Sequence, residues 1–396
     1  MFKAMALNTS DALITSVTSP LNLTLPSAGP IVVGMSGGVD SAVAAARLKA
    51  QGYPVLALFM KNWQDQDGSC SAEEDFQQVE KVCQQLKIDY YAVEFQKEYW
   101  DHVFQHFLDE YAQGFTPNPD ILCNREIKFK YFWQKALGLG SMVATGHYAQ
   151  TKVMDGQTAL LKGVDPGKDQ SYFLYTLKSS ILDKVCFPVG DLRKKEVRRY
   201  ARELGLSNAA RKDSTGICFI GERKFQKFLG EYLKAAPGKI VELETGKILG
   251  THQGIFNYTL GQRKGLGLGG QGEPWFVVEK DPASKTVFVA RGLKHPALFA
   301  DNLTANELSW VREMPPPVGV PLTAKIRYRQ PDQACTITKI ENGVATVEFA
   351  IPQRAATPRQ SIVFYRGTEC LGGGMIIAPG PSYYAQKKPL PAETAP

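Results

Sequence analysis

The sequence contains no run of about 18 apolar residues, so no membrane-spanning helix is expected. It has no Cys-x-x-Cys pair, which removes a zinc ribbon and a thioredoxin-type motif. Its 7 cysteines stand apart, at 70, 83, 123, 186, 218, 335 and 370. An odd, scattered set fits a reducing cytoplasm rather than a disulfide-stapled secreted fold. Histidine is scarce, at 5, and the one close pair, His102 and His106, lacks the glutamate of HExxH. No metal site built from protein side chains alone is therefore expected. Neither sign of charge dominates strongly. A net charge of +7 permits a polyanionic partner without requiring one. Residues 1–29 lack arginine, and their apolar stretch is broken by Asn8, Asp11 and Pro20. They read as a disordered extension, or as the product of an upstream start codon, rather than as a targeting signal.

What is present is an ordinary globular composition of 396 residues, 44% hydrophobic and 21% charged, enough for two or three domains. Apolar runs at Ile31–Val33, Val55–Met60, Asp89–Phe95 and Met142–Ala144 read as strands. Helical spacing over Ser41–Gln51, Ala72–Leu86, Lys97–Gln113 and Ile121–Leu137 separates them. Alternation of this kind predicts an α/β doubly wound parallel sheet. A hairpin around Asp155-Gly156 follows, then helical stretches at Gln170–Leu177, Lys194–Leu204 and Glu222–Lys234. From Gly238 the pattern is strands and turns. The expected organisation is a catalytic domain over 30–222, a small β-containing connector over 223–292 and a C-terminal β-barrel over 298–380. A proline-rich, disordered tail over 381–396 completes it.

The segment GMSGGVDS places Gly34, Met35, Ser36, Gly37, Gly38, Val39, Asp40 and Ser41 between a strand and a helix. Adjacent glycines let backbone amides approach a ligand closely, and the helix N-terminus adds donors, so the turn suits an anion. Asp40 suits a metal ion that itself holds phosphate. The turn has no Walker lysine and no GxGxxG spacing. The run Gly267–Gly272 does spell GxGxxG, but it lacks the flanking strand and helix and is rejected as a nucleotide site.

A second segment, TPNPDILCNREIKF, sets Cys123 near a helix start, with Asp120 as the expected N-cap and Cys123 three positions in. Helix dipoles, Arg125 and Lys128 would favour a thiolate there. Asp120 at the same helix end suits an acid/base group beside a nucleophile. A third, DSTGICFIG, carries Cys218 in a polar setting. Two cysteines on separate loops suit sulfur transfer, one as persulfide carrier and the other closing a disulfide. Lys194, Lys195, Arg198, Arg199 and Arg202 form a basic helical face that could meet phosphate. Arg327 and Tyr328, read at the start of a β unit, suit stacking on an RNA base.

GMSGGVDS resembles the SGGxDS loop of the PP-loop ATP pyrophosphatases. With TPNPDILCNREIKF, ATGHYA, KDQSYFLY, STGICFIG, YTLGQRKGLGLGG, RYRQ and the Gln360 segment in that order, residues 31–378 resemble the bacterial tRNA-specific 2-thiouridylases. The resemblance implies adenylation and then thiolation of the wobble uridine of tRNA(Lys), tRNA(Glu) and tRNA(Gln). It implies ATP, with Mg²⁺, on residues 34–41, Met60 and Gly146. It implies Cys218 as the transient persulfide carrier, Cys123 as the nucleophile that leaves a Cys123–Cys218 disulfide, and Asp120 as acid/base. Asn118, Pro119 and Asp120 would line the target base. His147, Lys168, Asp169, Gln170, Arg327, Tyr328 and Gln360 would meet the tRNA. A cysteine desulfurase, directly or through sulfur-relay proteins, would supply the sulfur. A PP-loop amide ligase would explain the first segment but leave both cysteines without a role.

Overall fold

A computed structural model describes residues 20, 21, 23, 29–63, 71–213, 225–234, 236–392 and 394. Strand β1 (Ile31–Met35) is buried on both faces. Ile31 and Val33 enter one core, and Val32 enters the other. Each such side chain contributes roughly 1.5–3 kcal/mol on burial. Three neighbours, β2 (Val55–Lys61), β3 (Asp89–Glu94) and β4 (Met142–Thr145), run parallel in the order β3-β2-β1-β4. The chain places β2 and β3 on one side of β1 and β4 on the other. The order therefore reverses between β1 and β4, the position where open α/β sheets form a crevice at their carboxyl ends.

Helix α1 (Val39–Ala50) follows β1 directly. Ala42, Ala44 and Ala45 enter the core of Ile31 and Val33, Ala46 and Ala50 pack on Leu86 and Leu204, and Arg47 is fully buried, bonded to Pro188 O and the Asp191 carboxylate. Gly52, at φ +84°, ends the helix as its spacing predicts. Its N–H donates to Lys49 O, and that of Tyr53 donates to Leu48 O. Helix α2 (Ser71–Leu86) covers the same face. Leu21 and Leu23, inside the expected extension, also pack there.

The helix expected over 97–113 begins at Gln96 and winds as a π-helix over Trp100–Phe104 before α3 (Gln105–Ala112). The helix expected from Ile121 begins earlier, as α4 (Pro119–Leu122), and continues as a π-helix over Cys123–Phe132. Its backbone is kinked at Phe129. π-Helical turns of this kind cluster at functional sites. The helix expected over 170–177 is a single turn, Ser171–Leu174.

The hairpin β5 (Ala149–Met154) and β6 (Gln157–Lys162) forms around Asp155-Gly156. It joins a distant sheet. β7 (Val185–Cys186) extends the first sheet beyond β4, and α5 (Lys194–Glu203) packs on α1. The connector is a four-stranded sheet of β8 (Gly238–Glu242), β9 (Ile248–His252), β10 (Trp275–Asp281) and β11 (Thr286–Arg291). The remaining strands are β12 (Phe299–Trp310), β13 (Pro321–Lys325), β14 (Gln333–Glu341), β15 (Val344–Arg354), β16 (Ser361–Arg366) and β17 (Glu369–Pro379). They close a barrel through the β12–β17 pair. The β5–β6 hairpin adds to β17 at Glu369 and Cys370, tying the first α/β unit to the barrel through backbone hydrogen bonds.

Two expectations give way. Arg327 and Tyr328 lie in the turn between β13 and β14, within the barrel rather than at the start of a β unit. Residues 381–392 of the tail expected to be disordered instead fold on the barrel and connector: Tyr383 N–H donates to Phe299 O, and Tyr383 and Leu390 pack on a cluster with Phe276 and Phe299. Its prolines lower β propensity, but these two apolar side chains supply anchors.

Candidate active site at the sheet switch point

The glycine turn leaves β1 at its carboxyl end. Gly37 adopts φ +73°, and a Cβ there would lie 2.7 Å from Asp75 O. The turn is braced by side chains of its own unit. Asn208 Nδ2 donates to Gly37 O at 2.9 Å and to Gly38 O at 3.1 Å, and Arg211 NH1 donates to Gly37 O at 3.3 Å. Ser41 Oγ accepts from Ser36 N–H at 3.2 Å, which folds the serines toward each other. From the other side of the switch point comes Gly146, after β4. A Cβ on it would meet Ser41 N at 2.7 Å, so only glycine lets this strand end press on the start of α1.

Asp40 lies at the centre of a charged network. Lys194, at the start of α5, donates to both Asp40 oxygens at 2.7 and 2.8 Å, and Tyr148 OH donates to one at 2.7 Å. Lys194 also lies 2.9 Å from Asp213, which Lys168 reaches at 2.6 Å and Arg198 joins. Burial disfavours the Asp213 charge, but hydrogen bonds from Lys168 and Lys194 outweigh it and hold the carboxyl far below its usual range. Burial and the Asp40 charge push the Tyr148 phenol well up. The basic face read from the sequence thus divides: Lys194 and Arg198 turn toward acids beside the glycine turn, while Lys195, Arg199 and Arg202 are exposed. Tyr148 and Asp213 escaped the sequence reading, although both stand in quoted motifs, ATGHYA and DSTGICFIG.

The second segment approaches the same edge. Pro117 and Pro119 flank Asn118, whose side chain accepts from Asp120 N–H at 3.2 Å. Asn118 is therefore the N-cap, and Asp120 sits inside the first turn. Pro119, with no N–H and a fixed φ, occupies the first helical position, which moves the start two residues earlier than expected. Cys123 is 0% exposed, in a cluster with Trp63, Tyr99, Phe104, Ile127 and Phe228. Asp120 is partly exposed. The helix carrying Cys123 packs back on the first segment, since a Cβ at Gly34 would lie 3.2 Å from the Phe132 ring. Phe129 faces His147 at 6.0 Å, and His147 Nδ1 meets Thr145 Oγ1 at 2.7 Å. Burial and the Lys128 charge hold the His147 imidazole well below its ordinary pKa, so the ring is neutral. Met60, the penultimate residue of β2, packs against the Cys123 cluster. Cys218 and the rest of 214–224 lie outside the described residues.

The residues expected to meet RNA behave unequally. Lys168 is half-buried on Asp213, and Gln170 Oε1 accepts from Tyr148 N–H at 3.0 Å. Asp169 is buried at 4% exposure. Its carboxylate accepts from Gly163 N–H and from Ser171 N–H and Oγ, which makes it an internal staple rather than a surface group. Tyr328 packs on Phe173 at 4.4 Å, and its hydroxyl reaches Lys168 O at 3.4 Å. Arg327 NH2 donates to Leu260 O in the connector and to Ala355 O in the barrel. Gln360 Nε2 donates to Thr116 O at 2.6 Å, and Thr116 Oγ1 lies 3.4 Å from Thr259 Oγ1 of the connector. The segment leading to Asp120 and Cys123 is thus touched by all three units.

Among the described residues, no group of three or more His, Cys, Asp or Glu could hold a metal ion. His102 pairs with the Tyr131 hydroxyl and His106 with Glu110, so the two do not converge. No helix among those residues is long and apolar enough to cross a membrane.

Family comparisons agree along the chain. Residues 29–222 match the tRNA methyl transferase HUP domain, 226–291 the tRNA methyl transferase PRC-barrel domain and 300–376 the aminomethyltransferase beta-barrel domain. The chain is 56% identical over 370 residues to the tRNA-specific 2-thiouridylase MnmA of Protochlamydia amoebophila, covering 92% of this chain and 97% of that protein. It is 55% identical over 349 residues to the protein of the same name from Halalkalibacterium halodurans, covering 87% and 94%. Among solved structures, the U34-tRNA thiolase NcsA from Methanococcus maripaludis matches at 18% identity and a TM-score of 0.35, over 56% of this chain and 69% of that one. With a glycine turn at the switch point, a capped cysteine helix beside it and this degree of identity, the chain belongs to the tRNA-specific 2-thiouridylase MnmA family.

Proposed function

We propose that this chain is a tRNA-uridine 2-sulfurtransferase. It uses ATP to activate the wobble uridine of tRNA(Lys), tRNA(Glu) and tRNA(Gln), and it forms 2-thiouridine, AMP and pyrophosphate. One observation carries the reading: the helix that bears Cys123 packs, through Phe132 at its far end, against Gly34 of the glycine turn, which brings both motif segments to one side of the sheet.

ATP would lie on residues 34–41, with Met60 and Gly146 beside it. The turn's amides and the start of α1 fit a phosphate chain, while Gly37 and Gly146 let Asp75 O and Ser41 N approach closely and so fix the turn's shape. Mg²⁺ would arrive with ATP. Asp40 is the one acid on the turn, and a Mg²⁺ held by one carboxylate plus phosphate oxygens suits this donor set better than a resident metal does. Bound there, the ion would neutralise phosphate charge. Lys194 supplies a second positive charge at the same place.

Asn118, Pro119 and Asp120 would line the uracil. The uridine O2 attacks the α-phosphate and pyrophosphate leaves, so C2 gains a leaving group. Asp120 would move the proton. The terminal sulfur of a persulfide on Cys218 attacks C2, and AMP departs. The Cys123 thiolate then attacks the Cys218 sulfur. The S–S bond to the base breaks, 2-thiouridine is released, and a Cys123–Cys218 disulfide remains for a thiol reductant to reopen. A cysteine desulfurase, with or without relay proteins, supplies the persulfide, and the setting is cytoplasmic. His147, Lys168, Gln170, Arg327, Tyr328 and Gln360 border the RNA path, and Asp169 supports it from within.

The test is nucleoside mass spectrometry after incubation with unmodified tRNA(Glu), ATP, Mg²⁺ and a persulfide-generating desulfurase. 2-Thiouridine with AMP is expected. AMP without a thionucleoside, once sulfur delivery is shown to work, would overturn the transferase reading.

A further inference from the structure

The barrel grips the Cys123 segment from both sides, through two residues given no role so far, Arg359 and Glu307. Before the segment, Arg359 Nε lies 3.2 Å from Glu110 on α3, and its guanidinium covers the Phe115 ring at 5.1 Å. Glu110 is only 6% exposed at its side chain; His106 Nε2 lies 3.5 Å from it, and the Glu307 carboxylate also acts on it. Gln360, next in sequence, bonds Thr116 O. After the segment, Arg125 NH1 meets Glu307 of β12 at 3.7 Å. Both barrel residues hold a left-handed backbone, φ +68° at Arg359 and +46° at Glu307, a conformation that residues with a Cβ avoid unless their surroundings impose it. Arg359 N–H also donates to Ile376 O at 2.9 Å, which fixes that turn to β17.

We propose that Arg359 is a positioning residue: through Glu110 and Phe115 it makes the barrel part of the active site, holding the segment from Phe115 to Cys123 in register. The proposal rests on the reading of Asp120 and Cys123 as reacting groups. The ion pair is largely shielded from water on the Glu110 side, so removing one partner leaves the other charge poorly compensated. The stretch from Glu110 to Phe115 would then lose its tie to the barrel, leaving Thr116 as the remaining external hold, and the first turn after Asn118 would lose its aim. An error of about 1 Å at a reacting group is enough to lower a rate by roughly a hundredfold.

The test uses the full chain with Arg359→Gln, Glu110→Gln, the double variant and Arg359→Lys. For each, the turnover of thiolation, the dissociation constants for ATP and for a tRNA(Glu) transcript, and the rate of Cys123 alkylation by iodoacetamide are measured, the last by peptide mass spectrometry. Arg359→Gln should lower turnover about tenfold or more, leave both dissociation constants within about twofold and raise Cys123 alkylation about tenfold. Arg359→Lys should recover most of the turnover, and the double variant should be no worse than Arg359→Gln. Unchanged turnover and alkylation, or a loss confined to tRNA affinity, would overturn the proposal. If Arg359→Gln fails to fold, Glu110→Gln, which keeps side-chain shape, carries the same expectations. A wild-type protein that makes no 2-thiouridine would overturn the functional reading alone, because the alkylation rate reads the clamp without turnover.

Discussion

The two segments that meet at the sheet edge are held in different ways. The glycine turn of 34–41 is braced by its own unit, through Asn208, Arg211, Tyr148 and Lys194. The 116–123 segment is anchored in its own unit through Ile121 and Cys123, but its entry is also tied from outside, by Gln360 of the barrel and Thr259 of the connector at Thr116, and by Arg359 at Glu110 and Phe115 just before it. The contrast teaches a division of labour. On the proposed function, nucleotide binding would be a property of one unit, whereas placement of the sulfur chemistry would depend on the assembled chain.

The largest effects should separate the two completely. Cys123→Ser and Cys218→Ser should each reduce thiolation at least about a thousandfold, as loss of a nucleophile does. ATP binding measured by calorimetry should stay intact; an equal loss of ATP affinity would erase the contrast. Gly37→Ala acts on the other side. It combines a left-handed backbone, strained by about 1–3 kcal/mol for alanine, with a Cβ 2.7 Å from Asp75 O. ATP affinity should fall at least about tenfold, with little change in the alkylation rate of Cys123.

Lys194→Met should weaken ATP binding by roughly ten- to a hundredfold, since hydrogen bonds to charged groups contribute about 1.5–3 kcal/mol. Lys194→Arg should recover part of that loss. The smallest effect lies away from both segments, in the connector. Burial pulls the Lys280 ammonium down to about 8, while its Nζ donates to Tyr258 O. An unfolded lysine titrates near about 10.4, so between these values the unfolded chain binds more protons. Lys280 therefore makes stability rise as pH rises through that window. The urea midpoint of wild type relative to Lys280→Met should increase from pH 8 to pH 10.

Much of the first region was legible because its geometry is local. Strand, glycine turn and helix are contiguous, and Gly52 ends the helix where its spacing says it should. The second region was legible only in its chemistry. Asp120 was expected as the cap, yet Asn118 takes that place because Pro119 is preorganised for the first helical position. Asp169 looked like a surface charge. It is buried because a turn beside the barrel needs its oxygens for Gly163 and Ser171. The joining of the 149–162 hairpin to β17, some 200 residues on, leaves no local signal at all. Gln360 and Arg327 were named for RNA, and their bonds across units were not foreseeable, since pairing between distant segments has no periodicity to read.

The most direct test of the division follows both half-reactions in one single-turnover experiment with Cys123→Ser, tRNA(Glu), ATP, Mg²⁺ and a loaded desulfurase. The account predicts pyrophosphate release close to the wild-type amount and no free 2-thiouridine. Loss of pyrophosphate release together with 2-thiouridine, or 2-thiouridine formed without the Cys123 thiol, would contradict it.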